Sequence, residues 1–327
     1  MTKVAGPAAA ALANQAKGFD VLVRAMRWEA PGVMSVEIAA LDGGDLPPFE
    51  PGAHIDLHLP GNIVRQYSLF GDPADPSCYR IGVRSVGGGV ASGFVHRRLR
   101  PGEVVTVSAP RNNFPLVRSE RYLFIAGGIG ITPLMPMMPA ADAAGAPWTL
   151  LYCNKNAADA PFLQEIRRFA GTLSLHSSQD GTRLEVAKAV ATPQENTALY
   201  CCGPESLMVA VEEAAAGWPA GSVHFEWFTP RSRAVEAVPG LFDVVCERSG
   251  RTLEVPPDRS VLAVLNDAGI AVPCSCQQGV CGTCEVRVLS GDVDHRDSIL
   301  SSAEQAANET MMTCVSRSKG ARLVLDI

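Results

Sequence analysis

Half of the cysteines of this 327-residue chain crowd its last fifth, and their spacing is the feature that most limits what the chain can fold into. Cys276, Cys281 and Cys284 form a C-x4-C-x2-C pattern, and Cys314 follows later in the chain. A [2Fe–2S] centre needs four thiolates, and this is the plant-type spacing, in which a tight loop supplies three and a later segment supplies the fourth. We therefore predict that these four cysteines are the metal ligands.

Two other uses of the cysteines stay open at this stage, namely a zinc site and a set of buried free thiols. Zinc loops usually pair two C-x2-C units, and this region contains one. Cys274 lies outside the spacing, and we predict that it is not a ligand. Gly279 and Gly282 are expected to let the loop curl, so that backbone N–H groups point at the sulfurs.

Composition indicates the cellular compartment and excludes some classes of binding partner. A long chain with ten cysteines and no convincing export signal favours reduced thiols, so we expect a cytoplasmic protein. With 28 basic and 34 acidic residues the chain is mildly acidic, a poor candidate for nucleic-acid binding. The most apolar stretch, 123–140, is broken by glycines and prolines, whereas a membrane span needs roughly 20 apolar residues. We expect neither nucleic acid nor membrane as a partner.

Periodicity divides the chain into three folded segments. Residues 19–117 alternate polar and apolar residues in short runs, which predicts an antiparallel barrel or sandwich. Residues 118–228 alternate apolar strands with helix-like stretches, which predicts a parallel α/β sheet. Residues 1–18 are predicted to be a disordered tail, and 229–240 an interdomain linker. Residues 241–327 contain a hairpin, a helix with Ser260 as its predicted N-cap, the cysteine loop and further strands.

The loop CSCQQGVCGTC, residues 274–284, together with the order of the three segments, resembles the phthalate dioxygenase reductase family over residues 19–327. The resemblance implies a multidomain fold: an antiparallel β-barrel flavin domain, an α/β parallel-sheet nicotinamide domain and a β-grasp [2Fe–2S] ferredoxin domain. It implies the reductase component of a Rieske-type oxygenase system, which moves electrons from NADH through flavin to the cluster and on to the oxygenase. We expect the chain to act as a monomer.

The flavin site is predicted from Arg65-Gln66-Tyr67-Ser68, which matches the R-x-Y-S motif of the ferredoxin reductase superfamily. Arg65 can clamp a flavin phosphate in bidentate fashion, and Tyr67 offers a flat face to the isoalloxazine. Ser68 can donate a hydrogen bond near flavin N5. The motif alone does not separate FMN from FAD. Family members with this domain order and this cysteine loop use FMN, so the resemblance favours FMN.

Two further residues are assigned to the flavin phosphate. Residues 87–99 read as a glycine-rich turn that enters a helix, and a helix N-terminus favours anions. The family resemblance implies that Ser92 takes the phosphate-contacting position there. Ser92 has an alternative interpretation as a plain N-cap. Arg84 is a second phosphate candidate, and the loop 110–114 resembles the family's loop near the flavin edge.

The nicotinamide site is predicted from GGIGITP, residues 127–133, directly after an apolar strand. Glycines at this point let the backbone approach a dinucleotide. The pattern is not G-x-G-x-x-G, but it resembles the superfamily's motif. Cys202-Gly203-Pro204 matches the family's C-G-P, where the cysteine lies near the nicotinamide. The predicted binding residues are Gly127, Gly128, Gly130, Thr132, Pro133, Cys202, Gly203 and Pro204.

The segment 225–228 resembles the family's F-E-x-F, which assigns Glu226 and Phe228 to the catalytic site together with Ser68 and Cys202. Phe228 would lie against the flavin face that nicotinamide must occupy, although core aromatics would also explain the segment. One lysine, Lys155, follows the second strand of the nicotinamide segment without an arginine cluster, which favours NADH over NADPH.

Two rival functions stay open on the sequence. One is a self-contained NADH oxidase or ferric reductase that passes electrons to a small molecule. The other is a redox sensor that signals without turnover. Residues 295–297, His-Arg-Asp, are interpreted as solvated surface or as part of a docking face near the cluster.

Overall fold

The computed structural model describes residues 18–61, 63–232 and 240–327, and the chain forms two compact units. The first unit extends to Glu226, and the second comprises Trp227 to Ile327. The predicted tail therefore lies outside the described residues except for Gly18, and the predicted linker is described only at 229–232 and 240. Within the described ranges, no helix is long and apolar enough to cross a bilayer.

The first half of the first unit is a six-stranded antiparallel sheet in the order β4-β3-β6-β1-β2-β5, with one helix, α1, after β5. A bridge between Leu69 and Ile81 joins the two edges and closes the sheet as a barrel. Alternate residues, such as Ile55 and Leu57 on β3, point into the barrel core, as the period-two pattern predicts. The elements are β1 Phe19–Ala30, β2 Val33–Ala40, β3 His54–Leu59, β4 Ile63–Ser68, β5 Tyr79–Arg84, α1 Val90–Arg97 and β6 Val104–Val107.

The second half of the first unit is a five-stranded parallel sheet in the order β11-β10-β7-β8-β9. Its central strands are continuously apolar because helices and the barrel cover both faces. The elements are β7 Arg121–Gly127, a 3₁₀ helix Gly128–Leu134, α2 Met137–Ala143, β8 Trp148–Asn154, a 3₁₀ helix Ala157–Asp159, α3 Leu163–Ile166, β9 Thr172–Ser177, α4 Val186–Val190, β10 Thr197–Cys202, α5 Glu205–Ala214 and β11 Val223–Glu226. Pro204 is the N-cap of α5, one position before the N1 site that proline usually takes.

Polar and aromatic contacts join the barrel to the parallel sheet within the first unit. Arg80 on β5 makes a two-bond ion pair with Glu165 on α3, at 2.8 and 3.0 Å. The same guanidinium lies 4.4 Å from the ring centroid of Phe70, which in turn packs against Phe162 at 4.6 Å. Two parallel N–H···O bonds fix both distance and angle, so this contact orients the barrel against the sheet.

The second unit is a β-grasp fold, in which a mixed sheet in the order β13-β12-β18-β14-β16 packs against helix α6. Ser260 caps this helix by accepting the N–H of Ala263 at 3.1 Å, as predicted, and Gly269 follows its end at φ +74°. The elements are β12 Phe242–Cys246, β13 Arg251–Val255, α6 Val261–Asp267, β14 Glu285–Ser290, β15 Val293–Asp294, α7 Ser302–Ala307, β16 Thr310–Met312, β17 Arg317–Ser318 and β18 Arg322–Leu325.

The turn after β7 passes very close to the end of β10. A Cβ atom on Gly130 would lie 2.3 Å from the carbonyl oxygen of Cys202 and 2.8 Å from the backbone nitrogen of Gly203. Because these are backbone atoms, neither can move aside without shifting a central strand. We predict that Gly130→Ala lowers the stability of the protein by about 1–3 kcal/mol, seen as a melting temperature at least about 2 °C lower.

Gly217→Ala is the matched control, because a Cβ atom at Gly217 meets nothing within 4 Å. A melting temperature of Gly130→Ala equal to that of the control would show that the two segments are not packed as the structure places them.

Candidate functional site

The four predicted cluster ligands lie together in the second unit. Cys276, Cys281 and Cys284 belong to the loop between α6 and β14, and Cys314 lies between β16 and β17. Cys281, Cys284 and Cys314 are buried and Cys276 is half-buried, whereas Cys274 is exposed. Cys276 contacts Cys281, and Cys284 contacts Cys314, through hydrogen bonds between their thiol groups. The structure thus brings the four sulfurs together as two contacting pairs, and it leaves Cys274 at the surface.

The backbone of this loop curls as the glycines predict. Gln277, Gly279 and Gly282 have positive φ values of 53°, 71° and 69°. A Cβ atom on Gly279 would lie 2.6 Å from Cγ2 of Val315 and 3.1 Å from Cα of Asp297, so only glycine fits there. The loop can curl this tightly because glycine stands at the point where it crosses the neighbouring segments.

Backbone N–H groups of the curled loop point at the sulfurs. The N–H of Gln278 donates to Sγ of Cys276 at 3.3 Å, and the N–H of Thr283 donates to Sγ of Cys281 at 3.4 Å. The hydrogen bond from Cys276 holds the pKa of the Cys281 thiol below its ordinary value, with a smaller contribution from Thr283. A loop that stabilises thiolates with amide donors fits the four-thiolate demand of a [2Fe–2S] cluster.

Residues 295–297 differ from their interpretation as solvated surface or docking face. His295 and Asp297 are both buried in the second unit. Asp297 accepts the N–H groups of Ile299 at 3.3 Å and Leu300 at 2.9 Å. The physical reason is that this carboxylate satisfies the backbone of a turn packed beside Gly279. The sequence pattern of three polar residues in a row gave no sign of that burial.

Strand β4 carries the residues predicted to hold a flavin. Arg65 is exposed, Tyr67 is half-buried and Ser68 is buried. Because side chains alternate along a strand, Arg65 and Tyr67 share one face of β4, and Ser68 lies on the other face. Burial raises the pKa of Tyr67 to about 12, so its ring is neutral and can lie flat against an aromatic ligand. An exposed guanidinium two residues from such a ring suits a flavin and its phosphate.

Ser68 also connects the barrel to the parallel sheet. Its hydroxyl donates to Oε2 of Glu226, at the end of β11, at 3.2 Å. Burial raises the pKa of Glu226 to about 8, and the bond from Ser68 offsets this only in part. Glu226 is therefore a carboxyl that keeps its proton at neutral pH. The structure brings together two predicted catalytic residues that lie 158 positions apart in sequence.

A polar group that the motif analysis missed lies beside Ser68. His54 pairs with Ser68 across strands β3 and β4, and it is buried. Its Nε2 atom has no hydrogen-bond partner among the described residues. Asp56, two residues on, accepts from Arg111 at 2.7 Å. A buried nitrogen of this kind usually has a partner, and a polar ligand on this face of the barrel would supply one.

The other two flavin-phosphate candidates lie in different surroundings. Ser92 is buried in α1, where its hydroxyl donates to the carbonyl of Gly89 and accepts the N–H of Val86. Gly89 is the N-cap, three residues before Ser92, and the helix begins at Val90, so the N-cap interpretation of Ser92 is wrong. Arg84 lies at the end of β5, where it lines a cavity described next.

A cavity of about 530 Å³ lies at the carboxyl ends of the parallel strands. Gly127, Gly128 and Pro204 line it, as predicted for a nucleotide site. Ligands of open α/β sheets bind at this edge, in the crevice where the strand order reverses, here between β7 and β10. A Cβ atom on Gly127 would lie 2.4 Å from Cδ of Pro204, so glycine keeps this crevice open at its base.

The remaining predicted nicotinamide residues support this cavity from behind or below. Thr132 and Pro133 are buried in the 3₁₀ helix after β7, and the Thr132 hydroxyl donates to the carbonyl of Ile129 at 3.0 Å. Cys202 is fully buried, and burial, followed by the charge of Glu226, raises the pKa of its thiol well above the ordinary value. Phe228 lies in the second unit and is 39 % exposed.

The sequence analysis missed several cavity residues. Arg183, His176 and Ser178 line it from the segment around and after β9, and Cys153 lines it from β8. These residues belong to no motif, and only the register of the parallel strands places them beside Gly127. Strand order could have suggested them, because all parallel strands end at one edge of the sheet.

Comparison with known proteins agrees with this arrangement. Residues 244–319 match the family model of a 2Fe-2S iron-sulfur cluster binding domain, a range that contains all four predicted ligands. The chain is 43 % identical to the vanillate O-demethylase oxidoreductase of Pseudomonas sp. strain HR199, over 94 % of this chain and all of that protein. It is 39 % identical to the phthalate 4,5-dioxygenase oxygenase reductase subunit of Pseudomonas putida, over 91 % and 93 % of the two chains.

The solved structure of phthalate dioxygenase reductase superposes with a TM-score of 0.69 at 33 % identity, covering 95 % of this chain and 98 % of that one. The chain belongs to the phthalate dioxygenase reductase family. This confirms the predicted multidomain fold and the prediction of a flavin and iron–sulfur oxidoreductase of the oxygenase-reductase type. That solved structure is described as a modular structure for electron transfer from pyridine nucleotides to [2Fe–2S].

The raised pKa of Glu226 predicts a pH dependence of stability. Below about pH 4.5 the carboxyl is neutral in the folded and the unfolded chain. Between about 4.5 and about 8 the unfolded chain loses this proton while the folded chain keeps it, so stability falls as the pH rises and the loss is complete above about 8. Glu226→Gln removes this term, so the variant should gain stability relative to the native chain between about pH 5 and about pH 9.

The measurement is the urea midpoint at several pH values for Glu226→Gln and for Glu213→Gln, a control at an exposed carboxylate on α5. A stability difference between Glu226→Gln and the native chain that stays constant with pH would mean that Glu226 titrates normally.

Proposed function

We propose that this oxygenase reductase serves a Rieske-type oxygenase and takes electrons from NADH through FMN to the [2Fe–2S] cluster. The observation that carries the proposal is the pairing, in one chain, of a dinucleotide-sized cavity at the crevice of a parallel sheet with a four-cysteine loop. The relatives named for phthalate and vanillate oxygenase systems support the choice of acceptor. The family resemblance supports FMN.

The nucleotide would lie along the carboxyl edge of the parallel sheet. Gly127 and Gly130 let the backbone approach it, and Arg84 supplies a positive charge to its phosphates from the barrel rim. The buried thiol of Cys202 and the carboxyl of Glu226 end the adjacent strands β10 and β11, so the reacting ring belongs at this end of the cavity. A bound flavin takes two electrons at once and releases them singly, and a bound [2Fe–2S] cluster accepts one.

Ser68 and Glu226 would hold and supply a proton beside the flavin site. The Ser68 hydroxyl bonds to Oε2 of a carboxyl that is protonated at neutral pH. The neutral carboxyl of Glu226 could therefore supply a proton beside β4, and the carboxylate left behind would keep the hydrogen bond from Ser68. Arg65 would bind the flavin phosphate, and Tyr67 would lie against the isoalloxazine.

The cysteine loop would hold the cluster. Cys276, Cys281, Cys284 and Cys314 supply the thiolates, and the N–H groups of Gln278 and Thr283 stabilise their charge. Because free thiolate ligands persist in a reducing compartment, we infer that the chain works in the cytoplasm. We also propose that it acts as a monomer.

The ligand assignment predicts a selective defect. Cys281→Ser should lose the cluster, with its iron content and visible absorbance, and should keep reduction of the flavin by NADH, because the residues assigned to the flavin and the nucleotide, apart from Phe228, lie in the other unit. Cys274→Ser is the matched control, since Cys274 is an exposed cysteine of the same loop. Iron analysis and anaerobic flavin bleaching measure the two effects. A Cys281→Ser protein that keeps its iron and still reduces cytochrome c would refute the ligand set.

The phosphate assignment predicts weaker flavin binding. Arg65→Ala should raise the dissociation constant of the flavin by roughly 10- to 100-fold, the usual effect of losing a charge-assisted hydrogen bond. Flavin occupancy after gel filtration measures this effect, and mass analysis of the released flavin distinguishes FMN from FAD. Arg98→Ala, at an exposed arginine just after α1, is the control. Unchanged occupancy in Arg65→Ala would place the phosphate elsewhere.

Acceptor assays separate the proposal from its rivals. The purified chain should reduce a Rieske-type oxygenase faster than it reduces oxygen or ferric chelates. Fast turnover with oxygen or ferric iron alone would favour a stand-alone oxidase or ferric reductase. Absence of turnover with every acceptor would favour a redox sensor.

A further inference from the structure

The cavity at the edge of the parallel sheet is longer than its redox end requires. Its lining runs from Pro204, after β10, past Gly127 and Lys155 to His176, on β9. Strands β10, β7, β8 and β9 are consecutive in the sheet, so three strand spacings of about 4.8 Å separate the two ends, about 14 Å in all. That length fits a dinucleotide laid across the strand ends. If the nicotinamide lies at β10, the adenosine half reaches β8 and β9.

The loops at this far end are tied to each other. The N–H of Gln179, after β9, donates to the carbonyl of Lys155, after β8, at 2.8 Å. Asn156 bonds to the side-chain oxygen of Gln179 at 3.3 Å, and the N–H of Ala157 bonds to a carboxylate oxygen of Asp180 at 3.3 Å. The backbone of both loops is therefore fixed, and the side chains that line the cavity project from a formed surface.

Two unpaired cations project from that surface. Lys155 and Arg183 both line the cavity, and neither side chain makes a hydrogen bond or an ion pair within the part of the chain that the structure describes. His176 also lines the cavity, but its two ring nitrogens bond with Ser174 and with the carbonyl of Thr182. The donors available to a ligand at this end are thus an ammonium and a guanidinium.

The acidic group that could reject an added phosphate is partly occupied by a neighbouring amide. A site selective for NADH usually places a carboxylate on the 2′-hydroxyl of the adenosine ribose, whereas a nearby arginine accommodates a 2′-phosphate. Asp159 carries the one carboxylate among the described residues that line the cavity. Its Oδ2 atom accepts the side-chain amide of Asn156 at 2.6 Å, and its backbone N–H donates to Oδ1 of Asn156, which caps the short 3₁₀ helix. Asn156 therefore occupies one of the two carboxylate oxygens and fixes the orientation of this side chain.

We propose that Lys155 and Arg183 bind the 2′-phosphate of NADPH, so that this reductase takes electrons from NADPH as well as from NADH. The inference rests on the proposed function, because it needs the nucleotide to lie in this cavity. It corrects the expectation from sequence, which weighed Lys155 alone: Arg183 lies 28 residues further on and reaches the same corner only through the register of β8 and β9.

Direct binding tests the proposal on the flavin-loaded, cluster-containing protein. Isothermal titration with 2′,5′-ADP and with 5′-AMP compares the two ligands without turnover. The native chain should bind 2′,5′-ADP at least about tenfold more tightly, the scale of one charge-assisted hydrogen bond. Arg183→Ala and Lys155→Ala should each remove most of that preference and leave 5′-AMP binding unchanged. Equal affinity of the native chain for the two ligands overturns the proposal, whatever the variants do.

Steady-state kinetics with ferricyanide gives the second measurement. Arg183→Ala should lower kcat/KM for NADPH by roughly 10- to 100-fold and for NADH by less than about threefold. Arg168→Ala and Lys188→Ala are matched controls, because both residues are exposed and neither lines the cavity. An equal loss with both nucleotides would show that Arg183 contacts a phosphate they share. Turnover with NADH but not with NADPH refutes this inference alone, whereas turnover with neither refutes the proposed function.

Discussion

The hydrogen bond from Ser68 to Glu226 is the contact on which the redox end of the first unit depends. It joins the last residue of a barrel strand to the last residue of the edge strand of the parallel sheet. Because both residues end their strands, the carboxyl end of β4 meets the carboxyl edge of the parallel sheet, where Cys202 ends the neighbouring strand β10. A flavin on β4 and a nucleotide in the cavity would then share one polar corner.

The two-bond ion pair of Arg80 with Glu165 holds the same two sheets together at a second point. Two contacts restrict rotation of one sheet against the other far more than one contact does. Most of the packing between them is nevertheless apolar, as the continuous core of Phe70, Phe114 and Ile131 shows. The polar contacts therefore set geometry, and burial of apolar surface supplies the stability.

The sequence predicted those parts of the molecule that depend on local patterns. The cysteine spacing located the loop, period-two runs located the barrel, and Ser260 located a helix start, because each depends on residues close in sequence. It did not predict that Arg183 shares a cavity with Lys155, or that Asp56 pairs with Arg111. Those contacts follow from strand register, which a short motif does not encode. The burial of Asp297 was hidden for a related reason, since its partners include the backbone N–H groups of Ile299 and Leu300 and the distant hydroxyl of Ser316, which leave no signature in the sequence.

In the second unit the corresponding constraint is that the negative charge of the cysteine thiolates must be stabilised in a largely buried loop. Positive φ angles at Gln277, Gly279 and Gly282 turn the backbone so that amide groups face sulfur.

The most direct test of the whole account is anaerobic addition of NADH to the purified protein, followed by electron paramagnetic resonance. The account predicts the spectrum of a reduced [2Fe–2S] cluster within the time of a few turnovers. A flavin that is fully reduced while the cluster stays oxidised would contradict it.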